Sequence, residues 1–596
     1  MTEYIYSILK KYYGYDAFRE GQEEIIQNIL HGRDTIAIMP TGAGKSICYQ
    51  IPAIAMSGIT LVICPLISLM KDQVATLNQI GVRAAFLNSS LSLNQFNKAI
   101  ENAKNGVYKI IYVAPERLFT NIFLDFALSA KISMIAIDEA HCISQWGHDF
   151  RPSYTKIRSF IDLLNEKPKI AAFTATATQQ VKTDIINQLH LENPLELTSS
   201  FDRKNLYFAV EKPIDKNEYI LKYLKENPDK SGIIYCSTRK QVEELGVLLS
   251  EKKYDVGIYH AGMKDEERNA NQDNFIFDRC KIMIATSAFG MGIDKSNVSF
   301  VIHYNMPLNI EAYYQEAGRA GRDGENADCI LLYSGSDVRL NHFLIEKGIE
   351  KSNLESEEEC IALKNRESEK LKKITFYSTT NQCLRKFILN YFGENSENKC
   401  NFCSNCTPKD NSGELSENAK NILCVISAIS EKYGYNFIID ILTGSDDVRI
   451  AKKGFDTLPQ FGVLRTEEFG KVKKELEWLE ENEYIYNTTG DYKIAKLTSK
   501  GKSIVKKLTN KSFLSMKNNI AIEYEVDLEL LKRFKVLRKS IAEKQGVPAY
   551  VILTDATLKE LASIKPSSIN ELNDIKGMGQ TKISKYGQIF IDEINQ

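Results

Sequence analysis

The sequence predicts an α/β protein of two lobes, each a parallel sheet with crossover helices, followed by smaller and mainly helical modules. Three observations predict it. From about 33 to 200, short apolar runs rich in β-branched residues (DTIAIMP, ITLVICP, KIIYVAP, MIAIDEA, KIAAFTAT) alternate with longer amphipathic stretches. Each run ends in Pro, Gly, Thr or an acidic residue, as strands feeding crossover helices do. The same rhythm restarts after 201 in SGIIYCSTR, YDVGIYHAG, CKIMIATSA and SFVIHYNMP. Past 340 the pattern turns helical, over 341–395, and then rich in cysteine.

At roughly 150 residues per domain, 596 residues predict about four domains. The first lobe is assigned to 1–200 and the second to 201–340. A cysteine-bearing helical module follows at 341–412, its end marked by the polar linker TPKDNSGELS at 407–416. Over 413–510, helices lead into YIYNTTGDYKIAKL, two short strands about a Thr-Gly-Asp turn, which predicts a winged helix. A connector rich in Lys, Asn and Ser spans 502–524, and 525–596 reads as a compact all-α module. No repeat of 20–50 residues stands out.

Lys and Arg total 76 against 77 Asp and Glu, a formal charge of -1, which excludes a polycationic binder. Any nucleic-acid contact must come from a local groove. The apolar stretch 59–70 is broken by Pro65 and is too short to span a bilayer. The N-terminal MTEYIYSILKKYYGYDAF has no apolar signal core, so a cytoplasmic protein without membrane partners is expected. Twelve cysteines in so long a chain do not make a secreted disulfide framework. Eight lie among apolar neighbours and read as small buried hydrophobes.

The strongest chemical signal is PTGAGKS at 40–46, after a strand and opening a helix. Thr41, Gly42, Ala43 and Gly44 form a loop whose backbone N–H groups can curl round phosphate oxygens at the helix's positive end. Lys45 is expected to reach the β- and γ-phosphates, and the Ser46 hydroxyl to bind Mg²⁺. Met39 stands where the strict pattern has its first Gly. In IAIDEAH, an apolar strand carries Asp138 to its end, where it can hold the Mg²⁺ shell, and Glu139 can polarise the attacking water. In QEAGRAGRDG, Arg319 and Arg322 are read as sharing one face of a helix. An arginine inserted from the second lobe can neutralise γ-phosphate charge in the transition state.

Cys400, Cys403 and Cys406 stand at CxxCxxC spacing, with Cys383 17 residues upstream of the first. Four thiolates suit a tetrahedral Zn²⁺ that folds a small module, with an iron–sulfur cluster as the alternative. The polar loop SQWGHDFRPSY carries one of only two tryptophans in the chain. Gly, His, Asp and Arg interrupt any burial pattern there. Trp146 and Phe150 are read as stacking on unpaired bases, with His148 beside them and Arg151 on phosphate.

Together these motifs resemble those of superfamily-two helicases, and in detail those of the RecQ family of DNA helicases, over nearly the whole chain. The resemblance implies two RecA-like lobes, a zinc-binding helical module, a winged helix and a small all-α HRDC domain. It implies an ATP-dependent DNA helicase, its ATPase stimulated by DNA, moving 3′ to 5′ on single-stranded DNA and unwinding duplex or forked DNA in recombination, repair and the SOS response. YGYDAFREGQ at 13–22 is similar to the family's adenine-recognition motif, so that Tyr15 and Arg19 sandwich adenine and Gln22 bonds its edge. TATAT at 174–178 is similar to the motif that couples the lobes. AFGMGIDK at 288–295 is similar to the motif that links DNA grip to the ATP cleft, with Asp294 where Asn is frequent. Ser68 and Lys71 resemble a strand-contacting segment, and Arg117 is a further DNA contact. QCLR, then YFGE, matches the family's zinc module, with one arginine after Cys383 where two are frequent. The implied cofactors are ATP, Mg²⁺ and Zn²⁺. The implied partners are single-stranded and forked DNA, with single-strand DNA-binding protein and a topoisomerase as protein partners of a monomer associated with the nucleoid. From 525 onward 11 basic and 10 acidic residues balance, so the last module reads equally as a protein contact or a weak DNA binder. An RNA helicase and a DNA translocase that does not unwind are the competing readings.

Overall fold

The computed structural model describes residues 2–147, 149–289, 295–350, 356–407, 415–465, 467, 469–482, 484–488, 494–509 and 527–595. His148, the 290–294 part of the AFGMGIDK motif, the wing tip at 489–493 and most of both linkers lie outside the described residues.

The first sheet has seven parallel strands: β1 (Thr35–Ile38), β2 (Ile59–Ile63), β3 (Ala84–Leu87), β4 (Ile110–Val113), β5 (Ile132–Ile137), β6 (Lys169–Thr174) and β7 (Leu195–Thr198). Their order is β3-β4-β2-β5-β6-β1-β7. The central strands are buried on both faces, which is why they read as unbroken apolar runs and not as alternation. The register sets Ile38 beside Thr174 and Ile137 beside Ala172, so β1, β6 and β5 end on one edge. Whatever follows β1 and β5 therefore meets at that edge.

The second sheet has six parallel strands: β8 (Leu206–Glu211), β9 (Gly232–Tyr235), β10 (Val256–Tyr259), β11 (Ile282–Ala285), β12 (Phe300–His303) and β13 (Ala327–Leu332), in the order β10-β11-β9-β12-β13-β8. The sequence pattern had marked five strands of the first sheet and four of the second. It passed over β3, β7, β8 and β13. β3 (AAFL) and β7 (LELT) contain almost no β-branched residue, and β7, at the sheet's edge, alternates in exposure.

The helices Glu357–Thr379 and Leu384–Tyr391 carry the cysteine module onto the second lobe, where Ser404 N–H donates to Phe208 O at 2.9 Å. The helices Glu417–Ala428, Tyr435–Thr443 and Phe469–Glu481 enclose a separate core beneath the antiparallel pair β14 (Ile485–Asn487) and β15 (Ala495–Leu497). Helices before a hairpin make the winged-helix arrangement, and it is anchored by Trp478 Nε1 donating to Lys212 O at 2.5 Å.

The last module, helices Leu528–Gln545, Asp555–Ile564 and Gln580–Ile594, has its own core around Phe534 and Phe590. It bridges both lobes. On the first, Lys10 Nζ donates to Asn573 O (2.6 Å) and Thr581 Oγ1 to Ile80 O (3.2 Å). On the second, Lys559 pairs with Glu325 at 2.5 Å. The seat on the first lobe is a contact of glycine on glycine: Gly577 N–H donates to Gly14 O at 3.3 Å. A Cβ on Gly14 would lie 2.5 Å from the Gly579 nitrogen, and its φ of +74° already disfavours a side chain. Gly14→Ala is expected to release the module, read as a larger radius of gyration in small-angle scattering. An unchanged scattering curve would contradict the docking.

Candidate functional site

A cavity of about 400 Å³ opens between the lobes. Its floor comes from the first lobe. The phosphate loop follows β1 because Gly42 (φ +82°) and Gly44 (φ +84°) take the left-handed conformation, and the helix Lys45–Ala55 starts directly behind them. Asp138 and Glu139 follow β5 on the same edge. Lys45 Nζ lies 3.8 Å from Glu139 Oε1. Glu139 itself is left-handed (φ 48°), a conformation that costs about 1–2 kcal/mol in a residue with a side chain. Such strain is kept where the surroundings fix a functional geometry.

Polar neighbours surround the pair. Glu139 Oε2 is 3.3 Å from His141 Nδ1, which contacts Thr174 Oγ1 at 2.8 Å, and the Tyr154 hydroxyl donates to Asp138 O at 2.9 Å. The acidic pair is thus tied to the first Thr of the TATAT segment, on the neighbouring strand β6. Ser46 also lines the cavity.

Tyr15, Arg19 and Gln22 stand along the same cavity. Arg19 donates to Gly42 O. The Gln22 carboxamide donates to Ala43 O (3.1 Å) and Gly44 O (3.2 Å) and accepts from Arg19 N–H (2.9 Å). The segment at 13–22 therefore braces the phosphate loop as well as facing the cavity.

The second lobe supplies the roof. Arg319 and Arg322 line the cavity opposite the loop, but they do not sit on a helix. The helix Ile310–Ala317 ends before them, and both arginines lie in turns. The reading of two arginines on one helical face is corrected accordingly. Gly318 caps the helix in right-handed conformation, its N–H still donating to Tyr314 O at 2.8 Å, and the turn beyond it passes through the left-handed region at Gly321 (φ +58°). A Cβ on Gly318 would fall 2.2 Å from Thr41 Oγ1, which instead donates to Gly318 O at 2.9 Å. Arg319 is buried against Tyr235. Burial pushes the Tyr235 hydroxyl up to about 12, and the nearby guanidinium of Arg319 opposes that rise. Glu316 holds the same helix by pairing with buried His303 at 2.9 Å.

The Sγ atoms of Cys383, Cys400, Cys403 and Cys406 lie within 4.8 Å of one another. Four thiolates 2.3 Å from one zinc ion stand about 3.8 Å apart, so the set fits a tetrahedral Zn²⁺ with little adjustment. Cys383 caps the helix Leu384–Tyr391, accepting from Lys386 N–H at 3.4 Å. Burial raises the Cys406 thiol, but hydrogen bonds from the Cys400 backbone and the neighbouring thiols outweigh it and hold the thiol below its ordinary value. Of the other eight cysteines, six are buried as read; Cys360 and Cys424 are half-buried.

Trp146 is 46% and Phe150 37% exposed, so both rings are accessible from solvent. The Arg366 guanidinium lies 5.3 Å from the Trp146 ring. Arg151 pairs with Asp149 at 2.9 Å and donates to Pro65 O at 3.2 Å, which joins this loop to the segment bearing Ser68 and Lys71. Lys71 is exposed and lies near Asp273 of the second lobe. Arg117, after β4 on the same sheet edge, stacks its guanidinium over Phe96 at 5.5 Å.

Sequence reasoning missed several cavity residues. Tyr550, Thr554 and Lys582 of the last module line the cavity, some 500 residues from the phosphate loop, and no local pattern marks them. Arg203, in the segment between β7 and β8, carries no motif and was not singled out.

Comparison with known proteins agrees with this architecture. Residues 19–184 match the DEAD/DEAH box helicase family, 215–324 the helicase conserved C-terminal domain, 335–407 the RecQ zinc-binding family, 410–518 the RQC domain and 527–594 the HRDC domain. The chain is 40% identical over 590 residues to the ATP-dependent DNA helicase RecQ of Bacillus subtilis, covering 99% of this chain and 98% of that one. It is 37% identical over 610 residues to the ATP-dependent DNA helicase RecQ of Haemophilus influenzae, covering 99% and 95%. With the RecQ-like DNA helicase blm-1 of Caenorhabditis elegans the identity is 30% over 655 residues, 99% of this chain and 65% of that one. Two parallel-sheet lobes, a four-cysteine module and relatives matched end to end lead to one conclusion: the chain belongs to the RecQ family of ATP-dependent DNA helicases.

Proposed function

We propose that this protein is an ATP-dependent DNA helicase that translocates 3′ to 5′ on single-stranded DNA and unwinds duplex or forked DNA in recombination and repair. The observation that carries the reading is the cavity between the lobes, with a phosphate loop and an acidic pair on one wall and two arginines on the other. ATP enters with its phosphates at the N-terminus of the helix Lys45–Ala55, where loop N–H groups and Lys45 meet negative charge. Tyr15 and Arg19 offer flat faces to the adenine. Gln22 pairs with its edge by exchanging contacts it now makes with the loop carbonyls. Ser46 and Asp138 would hold Mg²⁺, which neutralises phosphate charge when bound. Glu139, adjacent to Lys45 and His141, orients and polarises the attacking water. Arg319 and Arg322 stabilise charge on the γ-phosphate as the lobes close. Hydrolysis removes that bridge and lets them reopen.

DNA engages the first lobe beside the cavity, at Ser68, Lys71, Arg117, Trp146, His148, Phe150 and Arg151. Trp146 and Phe150, in the loop that follows the acidic pair, couple strand engagement to Glu139 and the ATP site. Zinc at Cys383, Cys400, Cys403 and Cys406 is structural, since four thiolates leave no open position. We assign the lobes to 1–200 and 201–340, the zinc module to 341–412, the winged helix to 413–510 and the HRDC domain to 525–596. Family membership supports a cytoplasmic, nucleoid-associated monomer that works with single-strand DNA-binding protein and a topoisomerase. No described helix is long and apolar enough to cross a membrane.

The test is forked-duplex unwinding beside ATPase measurements with DNA and RNA oligonucleotides. Stimulation by DNA with strand separation is expected. Stimulation by RNA alone, or by DNA without unwinding, would overturn the reading. Base stacking on an aromatic ring contributes about 1–3 kcal/mol, so Trp146→Ala should raise the DNA concentration for half-maximal stimulation about tenfold.

A further inference from the structure

The segment joining the lobes holds the two halves of the ATP site in register. Arg203 donates to the Thr41 carbonyl in the phosphate loop. The same guanidinium donates to Gly321 O (2.8 Å), Ala320 O (3.0 Å) and Gly318 O (3.4 Å), the turn that presents Arg319 and Arg322. Among the described residues Arg203 has no carboxylate partner; its contacts are with carbonyls and, at 3.4 Å, with the Asn205 side-chain oxygen. It lies close against the loop, since a Cβ on Gly42 would stand 3.1 Å from its Nη1.

The consequence follows from the planarity of the peptide unit. The Thr41 carbonyl and the Gly42 N–H belong to one rigid plane and point in opposite directions. A donor that holds the carbonyl outward therefore turns the N–H into the phosphate loop. The same holds for the planes Gly318–Arg319 and Gly321–Arg322, which set where each arginine side chain starts. One guanidinium thus fixes peptide planes on both sides of the cavity. Its fork of donors suits several carbonyls at once, which a single ammonium cannot match.

Arg203 is in turn held from the zinc module. Arg385, two residues after Cys383, donates to Arg203 O (2.6 Å), Leu206 O (2.6 Å) and Asp202 Oδ1 (2.7 Å). Glu394 accepts from Phe201 N–H at 2.7 Å and from Ser200 Oγ at 2.6 Å. Burial depresses the Arg203 guanidinium, with Tyr314 opposing that shift and Arg322 and Arg19 adding to it.

We propose that Arg203 is a positioning residue for ATP hydrolysis, registering the phosphate loop against the arginine turn, and that the zinc module sets its place through Arg385. This rests on the reading of the cavity as the ATP site.

The test uses the full-length protein with Arg203→Gln, Arg203→Lys, Arg385→Gln and the double variant Arg203→Gln/Arg385→Gln. DNA-stimulated kcat, ADP affinity and thermal melting are measured for each. If positioning is its role, kcat falls on the order of 10²-fold in Arg203→Gln and about tenfold in Arg203→Lys, while ADP affinity stays within about threefold. Arg385→Gln lowers kcat less, and the double variant is no worse than Arg203→Gln, because the two act in one chain. Turnover within about threefold of the parent in Arg203→Gln, ADP affinity falling in step with kcat, or additive losses in the double variant would overturn the proposal. Should Arg203→Gln melt early, Arg203→Lys carries the test on the same two readouts. If the parent itself hydrolyses no ATP, or Lys45→Ala turns over normally, the ATP-site reading fails instead.

Discussion

Lys45→Ala is expected to lower DNA-stimulated ATP turnover by on the order of 10²–10³-fold, the scale set by removing one preorganised group from developing charge. Lys45 Nζ is largely buried and 3.8 Å from Glu139, its ion-pair partner at the cavity floor. In low-dielectric surroundings a cation so placed interacts strongly with an arriving polyphosphate. Alanine removes that charge from both ground and transition states, so KM should rise as kcat falls. Glu139→Gln should lose turnover on the same scale for another reason. The amide keeps the shape of the side chain and its place beside His141 but cannot accept a proton from water, so ADP affinity should survive while kcat collapses. Steady-state assays with saturating single-stranded DNA check both variants. Retained DNA-stimulated turnover in both would contradict the site.

Removal of zinc is the second large effect. The buried apolar residues of the two helices, among them Leu371, Ile374, Tyr377, Leu384 and Ile388, pack into the core shared with the second lobe, whereas the Cys400–Cys406 loop adds only Cys403 to that core as a fully buried side chain. Structural zinc binding provides about 10–16 kcal/mol in small peptides, and even part of that exceeds what so little burial in the loop supplies. Cys400→Ser, or chelation of the parent protein, should therefore unfold the module and lower its melting transition by at least ~5 °C. The Leu384–Tyr391 helix starts from Cys383, so its N-terminal turn and Arg385 would loosen with the metal. Metal analysis should find one zinc per chain in the parent, with loss of the near-ultraviolet signal on chelation. A metal-free parent, or a Cys400→Ser variant that melts like it, would contradict the assignment.

Legibility in the sequence followed how local the physics was. The phosphate loop, the acidic pair and the four cysteines each depend on neighbours within a few residues, or on one spacing, and could be read directly. The strands β1, β2, β5 and β6 are apolar on both faces and left a plain signal. β3 and β13 were harder, since AAFL and ADCILL are also compatible with helix, and their place in the sheet comes from neighbours far along the chain.

Arg319 and Arg322 were found by spacing but given the wrong backbone. Helical periodicity could not show that the helix ends at Ala317, or that Thr41 of the other lobe packs where a side chain on residue 318 would stand. Least visible were residues whose role exists only across lobes. Nothing in SFDRKNL marks Arg203 as a bridge between Thr41 and Gly321. Nothing local in Gly14 foretells Gly579 against it, because the contact joins opposite ends of the chain.

The measurement that bears most directly on the account is an experimental structure of the full protein with a nonhydrolysable ATP analogue and a forked DNA. The account predicts the analogue between the lobes, its γ-phosphate within hydrogen-bond reach of Lys45 on one side and of Arg319 or Arg322 on the other. An analogue bound elsewhere, or one held by the first lobe with both arginines turned to solvent, would contradict it.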